Sequence, residues 1–181
     1  KPLAKILLKN FGSLQKVLLA GPHELSAISE MGPAAVSAIK VVQELTHRIL
    51  LQEIMDQPVL NNWKKVVDYC HSQMSHLERE QLRILFLDRK NNLIADEIQQ
   101  EGTLDHTPIF PREVVRRALE HGAGAVILVH NHPSGDPTPS ESDIQITRKV
   151  IQAASPLEIR VHDHIIVGRH ESKSLKQMGL I

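Results

Sequence analysis

Two patterns of apolar residues divide the chain. In the first part they recur at helical spacing: Leu3, Ile6 and Leu7, then Phe11, Leu14, Val17 and Leu18, interrupted at Gly12-Ser13. Gly21-Pro22 marks a turn, and Pro22 suits the first position of a short helix, where its missing N–H has no partner in any case. A longer helix is predicted from Pro33, with Val36, Ile39, Val42, Leu45, Ile49 and Leu50 on one apolar stripe. Met55-Asp56-Gln57-Pro58 ends the pattern, since Pro58 disfavours helix in its predecessor. A small all-helical module at 1–57 and a second domain at 58–181 are therefore expected.

The second part alternates between element types. Asn61 or Asn62 is a candidate cap for a helix carrying Trp63, Val66, Val67, Tyr69 and Cys70. Leu82 to Leu87 and Leu93 to Ile98 read as two strands joined in a hairpin by the polar turn Asp88-Arg89-Lys90-Asn91-Asn92. Pro111 opens a helix through Val114, Val115, Ala118 and Leu119, stopped by Gly122. The all-apolar run Ala125 to Val129 reads as a central strand buried on both faces. A helix from Glu141 to Ala154 follows, and then two short strands at 159–161 and 165–167. The order α-β-β-α-β-α-β-β predicts a mixed sheet covered by helices, an α/β (α+β) domain.

Composition excludes several classes. The chain has 181 residues, with 21 Lys and Arg against 21 Asp and Glu, so it is not a globally basic nucleic-acid binder. Aromatics make up 3%, too few for a base-stacking platform. No run approaches the roughly 18–20 apolar residues of a membrane span. The lysine-broken stretch Lys1 to Lys9 has no small-residue cleavage site, so a cytoplasmic location is expected. The single Cys70, set among helical apolar residues, is expected to be buried and inert. Eleven histidines are the unusual feature, because imidazole is the commonest metal ligand.

The chemistry concentrates in the segment from Val129 to Asp143. Side chains two apart on an extended chain point the same way, so His130 and His132 can present two imidazoles to one point. Pro133, Pro137 and Pro139 stiffen the turn that follows, and Gly135 supplies backbone freedom within it. That turn would return Ser140 and Asp143 to the same mouth at the start of the next helix. Two imidazoles and a carboxylate make a three-ligand set that leaves zinc's fourth tetrahedral position for water. Blander accounts exist for each part. His-x-His pairs occur in surface turns by chance, and Ser140-Glu141-Ser142-Asp143 also matches a helix capping box. Asp136, preceding a proline, suits a turn. It is the joint occurrence directly after an apolar strand that favours a metal.

The spacing His-x-His-Pro, six residues, Ser, two residues, Asp resembles the signature of JAMM/MPN+ metalloproteases, matched at every fixed position from His130 to Asp143. Pro111 to Val115, His130 to Ser140 and Asp163 to Gly168 resemble the bacterial RadC branch of that family. The resemblance implies the MPN, cytidine-deaminase-like architecture and zinc ligation by His130, His132 and Asp143. It further implies that Ser140 binds the developing oxyanion or orients water, and that an upstream glutamate is the general base. Glu80 is the best match, with Glu78 its nearest competitor, though a glutamate at such a junction is more often only a solvated charge. The implied activity is zinc-dependent hydrolysis of a peptide or isopeptide bond in an unknown protein or peptide substrate.

His162-Asp163-His164 is a second His-x-His pair. With no third convergent ligand it reads as structural, or as a hydrogen-bonded neighbour of the site. His106, His121 and His170 stand in predicted turns as surface residues. Ala27 to Val36 resembles a helix-hairpin-helix, which binds DNA phosphates through backbone amides. This supports an alternative, a DNA-associated repair or accessory protein. Yet Glu30 stands where that pattern has glycine, and residues 1–55 hold six Lys and Arg against four Glu. A helical docking module is at least as good an account.

Overall fold

A computed structural model describes residues 2–55, 58–101 and 109–181. The chain divides into two compact units, Lys1–Leu50 and Leu51–Ile181. The expected boundary at 57/58 and His106 touch residues outside those described.

The first unit is helical: α1 (Pro2–Phe11), α2 (Leu14–Leu19), α3 (Pro22–Ser26) and α4 (Pro33–Met55), the last running past the division. Gly12, at φ 81°, turns α1 into α2, whose first turn is capped by the Ser13 hydroxyl accepting from the Lys16 N–H at 3.1 Å. Pro22 is the first residue of α3, and the Glu24 carboxylate accepts from the Gly21 N–H at 2.6 Å. Leu7, Val17, Ala20, Leu25, Met31 and Val36 form the core. The turn between α3 and α4 holds Glu30 at φ 73°, a left-handed conformation that favours glycine. The front of the α4 stripe is buried and its middle is exposed, while Leu50 is half-buried and Ile54 near the helix end is buried. Val36 and Ile39 join the core, whereas Val42, Leu45 and Ile49 are 48%, 53% and 61% exposed. Helix length explains the difference. The 23 residues of α4 span about 35 Å, and the ten of α1 about 15 Å, at 1.5 Å per residue.

In the second unit a 3₁₀ turn, Val59–Asn62, leads into α5 (Trp63–Met74); Asn62 stands at the cap position without a side-chain bond. Then come β1 (Gln81–Leu87), β2 (Leu93–Glu101), α6 (Pro111–Glu120), β3 (Ala125–Asn131), α7 (Glu141–Ala154), β4 (Arg160–Val167) and β5 (Ser172–Ser174). The sheet order is β2-β1-β3-β4-β5. Only the β3–β4 pairing is parallel. The turn between β1 and β2 is closed by Asp88, whose carboxylate accepts from the N–H groups of Lys90 and Asn92 at 2.7 and 2.9 Å. This is the mixed α/β arrangement expected.

The two helix-covered faces account for the continuous apolar runs of β1 and β3, both buried along their whole length. On one face Ile84, Phe86, Val126 and Leu128 pack against Val114 and Ala118 of α6 and Val150 and Ala154 of α7. On the other, Tyr69 of α5 donates a hydrogen bond to Asp96, which also pairs with Arg83 at 2.6 Å. Cys70 is fully buried there, and burial pushes its thiol far above the ordinary range. Among the described residues no helix is long and apolar enough to cross a membrane.

Two expectations need correction. The strands predicted at 159–161 and 165–167 are one, β4, because the polar residues between them are buried with partners. His162 Nε2 lies 2.6 Å from Asn91 Oδ1, and the Asp163 carboxylate accepts from the N–H groups of His164 and Lys176 and from the Ser174 hydroxyl. His121 is not a plain surface residue. Its Nε2 lies 2.7 Å from Glu97 Oε1 and its ring stacks near Phe86, whereas His170 is exposed.

Candidate metal centre

The parallel β3–α7–β4 crossover places the end of β3 and the start of α7 at one edge of the sheet, the carboxyl-end crevice where ligands of such folds bind. His130 faces α7, as Leu128 does two residues earlier, and is 1% exposed. His132 follows just past the strand, its N–H bonded to the Val167 carbonyl at 2.9 Å. Pro137 is buried within the intervening loop, and Asp136 closes a turn by accepting from the Thr138 N–H at 2.9 Å. Asp143 lies in the first turn of α7. Because β1 is antiparallel to β3, with Leu82 paired to His130, the residue just before β1 reaches the same edge. That residue is Glu80.

These elements converge on one point. His130 Nε2 lies 2.9 Å from His132 Nε2 and 3.4 Å from Asp143 Oδ1, and His132 Nε2 lies 3.5 Å from Asp143 Oδ2. Among the described residues this is the one cluster of His, Cys, Asp or Glu groups with metal-binding spacing. Donors about 2.0–2.1 Å from a tetrahedral zinc stand about 3.3 Å apart, so the set fits once the two ring nitrogens separate by a few tenths of an ångström. Ring chemistry agrees. His132 Nδ1 lies 2.8 Å from the Asp136 carbonyl, which only accepts, so Nδ1 carries the hydrogen and Nε2 presents a lone pair to the cluster. A second nitrogen and a carboxylate facing that lone pair form a site that a cation or a proton would relieve.

The charges are set by surroundings. Burial pushes the His130 imidazole well below its usual value, and the neighbouring His164 adds to it. His132 is raised, first by the hydrogen bond that its ring, once protonated on Nε2, donates to Asp143. Burial alone would raise Asp143, but the His132 bond, the nearby His130 and the Ser140 contacts outweigh it and hold the carboxyl well below the carboxylate range. The site thus keeps an ionised carboxylate beside a buried neutral imidazole.

Glu80 Oε1 lies 3.9 Å from His130 Nε2, and its side chain is 13% exposed, whereas Glu78 is exposed. Ser140 is the N-cap of α7. Its hydroxyl donates to Asp143 Oδ2 at 2.6 Å, and its N–H donates to the same oxygen at 2.7 Å. The capping box and the candidate ligand set are therefore one structure, in which the cap steers the carboxylate. His164 meets the cluster from behind: its Nε2 is 2.7 Å from His130 Nδ1, and its Nδ1 is 2.6 Å from Thr147 Oγ1. His162 faces Asn91 and takes no part.

Sequence reading passes over two supporting residues. Asn131, between the histidines and 1% exposed, accepts from the Gln81 N–H at 2.9 Å and donates to the Arg79 carbonyl at 3.0 Å. It thereby clamps the segment that carries Glu80. Thr147 is the other, four residues beyond Asp143 on the same helix face, a spacing that could have marked it. A model of the family described as "RadC-like JAB domain" matches residues 60–180.

Proposed function

The chain belongs to the RadC-like JAB domain family, and from that premise we propose that it is a zinc-dependent hydrolase cleaving an amide bond, peptide or isopeptide, in a protein or peptide substrate. The domain responsible is 58–181, with 1–57 a separate helical module. The observation that carries the reading is the convergence of His130, His132 and Asp143, with Glu80 beside them. His130 Nε2, His132 Nε2 and an Asp143 oxygen hold the metal. When bound, zinc supplies Lewis acidity that polarises a scissile carbonyl and makes water nucleophilic near neutral pH. Glu80 accepts a proton from the attacking water and returns it to the leaving amine. Ser140, bonded to Asp143, positions that carboxylate, and its hydroxyl donates to oxygen at the reacting centre only by turning away from Asp143, whose Oδ2 is then still held by the Ser140 N–H. The alternative, a DNA-associated role, has the turn between α3 and α4 as its one support, and there Glu30 brings a carboxylate where phosphate would have to approach.

The test is metal content and turnover. Purified protein holds about one zinc per chain, lost when His130 and His132 become alanine. Against a peptide library, Glu80→Gln keeps zinc but loses cleavage. Equal zinc in wild type and His132→Ala would overturn the ligand assignment, and undiminished cleavage by Glu80→Gln would remove Glu80 from its role.

A further inference from the structure

A contact chain runs from α7 through β4 to the candidate metal centre, and its hydrogens can be assigned one by one. The Thr147 hydroxyl oxygen lies 2.5 Å from the Asp143 carbonyl oxygen. A carbonyl oxygen only accepts, and two oxygens approach that closely only with a hydrogen between them, so the single hydroxyl hydrogen points at Asp143. Thr147 Oγ1 must then accept in its other contact, 2.6 Å from His164 Nδ1, which fixes the hydrogen of His164 on Nδ1. His164 Nε2 is left as an acceptor, and the group facing it at 2.7 Å is His130 Nδ1. That nitrogen therefore carries the hydrogen of His130, and His130 Nε2 is bare. All of these groups are fully or nearly fully shielded: Thr147 and His164 are 0% exposed and His130 1%, so no water substitutes for a missing partner.

We propose that Thr147 and His164 are positioning residues that set the ring tautomer of His130, keeping its Nε2 lone pair aimed at the cluster with His132 and Asp143. The inference rests on the reading of His130 as a ligand for its purpose, but not for its geometry. Reversing the chain would put the hydrogen on His130 Nε2, pointing it into the site and blocking coordination. Along the chain of contacts the Thr147 back-bond to Asp143 sets the direction, and it acts against the His132 Nε2 lone pair and Asp143 Oδ1, which face His130 Nε2 and would draw the hydrogen there. The same helical turn thus supplies one ligand, Asp143, through its side chain, and orients another, His130, through its main-chain carbonyl.

The test reads ring hydrogens directly. In metal-free protein at neutral pH, two-bond 1H–15N correlation spectra distinguish Nδ1–H from Nε2–H imidazoles. Wild type and Thr147→Ser, which keeps the hydroxyl, show His130 as Nδ1–H. Thr147→Val, nearly the same size, and His164→Phe show a mixed or Nε2–H form. Zinc affinity, measured by chelator competition, falls about 10–100-fold in those two and is kept in Thr147→Ser. Melting curves confirm that the variants are folded. An Nε2–H His130 in wild type overturns the proposal, as does an unchanged Nδ1–H form in both Thr147→Val and His164→Phe. A wild type that takes up no zinc refutes the metal reading instead, and the tautomer spectra still decide the relay.

Discussion

Asn131→Ala removes one side chain and strands two backbone groups. The amide carries the β1–β3 pairing one step beyond Leu82 and His130, by accepting from the Gln81 N–H and donating to the Arg79 carbonyl. Each buried polar group left without a partner costs about 1–3 kcal/mol, and partial access of water to Arg79 lowers the upper end, so the variant should lose roughly 2–4 kcal/mol. For a domain of this size that is a fall of roughly 6–12 °C in Tm. The loss should be local as well as global. Amide exchange at Gln81 should accelerate, because its acceptor is gone, while zinc affinity changes little, because Asn131 touches no ligand. Circular dichroism melts and exchange monitored by NMR provide the two readouts. A melting point within about 2 °C of wild type, with Gln81 equally protected, would refute the clamp.

Two further outcomes follow from other parts of the molecule. In the metal-free protein the His132 value is raised above 6.5, first by Asp143, so that pairing stabilises fully below pH 6.5 and fades as pH rises through the raised value. Zinc must displace that proton, so the increase in Tm on adding zinc should grow from pH 6 to pH 8, and an equal increase at both would contradict it. Glu30→Gly relieves a left-handed non-glycine backbone and should stabilise the helical unit by about 0.5–1 kcal/mol in denaturant melts, once glycine's greater freedom in the unfolded chain is deducted.

What could be read in advance was whatever local chemistry dictates. The apolar runs at β1 and β3, the Asp88 turn and the cap at Ser140 each announce themselves within a few residues. The gathering of His130, His132 and Asp143 also follows from short-range rules, strand alternation and a stiff return loop. What escaped depends on distant partners. His162, Asp163 and His164 look like a polar break between strands, and only Asn91, Ser174 and Thr147, each far along the chain, allow them to be buried in β4. The outer half of the α4 stripe misled for the opposite reason, since apolar spacing does not say how far the covering helices extend. Choosing Glu80 over Glu78 needs the β1–β3 register, which no single segment contains.

The candidate ligands and the candidate base differ sharply in how far apart they lie along the chain. His130 and Asp143 bracket one crossover loop, whereas Glu80 stands fifty positions before His130. Closing a short loop costs little chain entropy, so a cation could staple this one in a partly folded chain, ahead of the rest of the sheet. The candidate base arrives only when β1 docks. On the proposed reading descent can therefore separate the two: changes around residue 80 would silence the proposed hydrolysis while leaving a scaffold that still gathers the three candidate ligands, free to be recruited for other work.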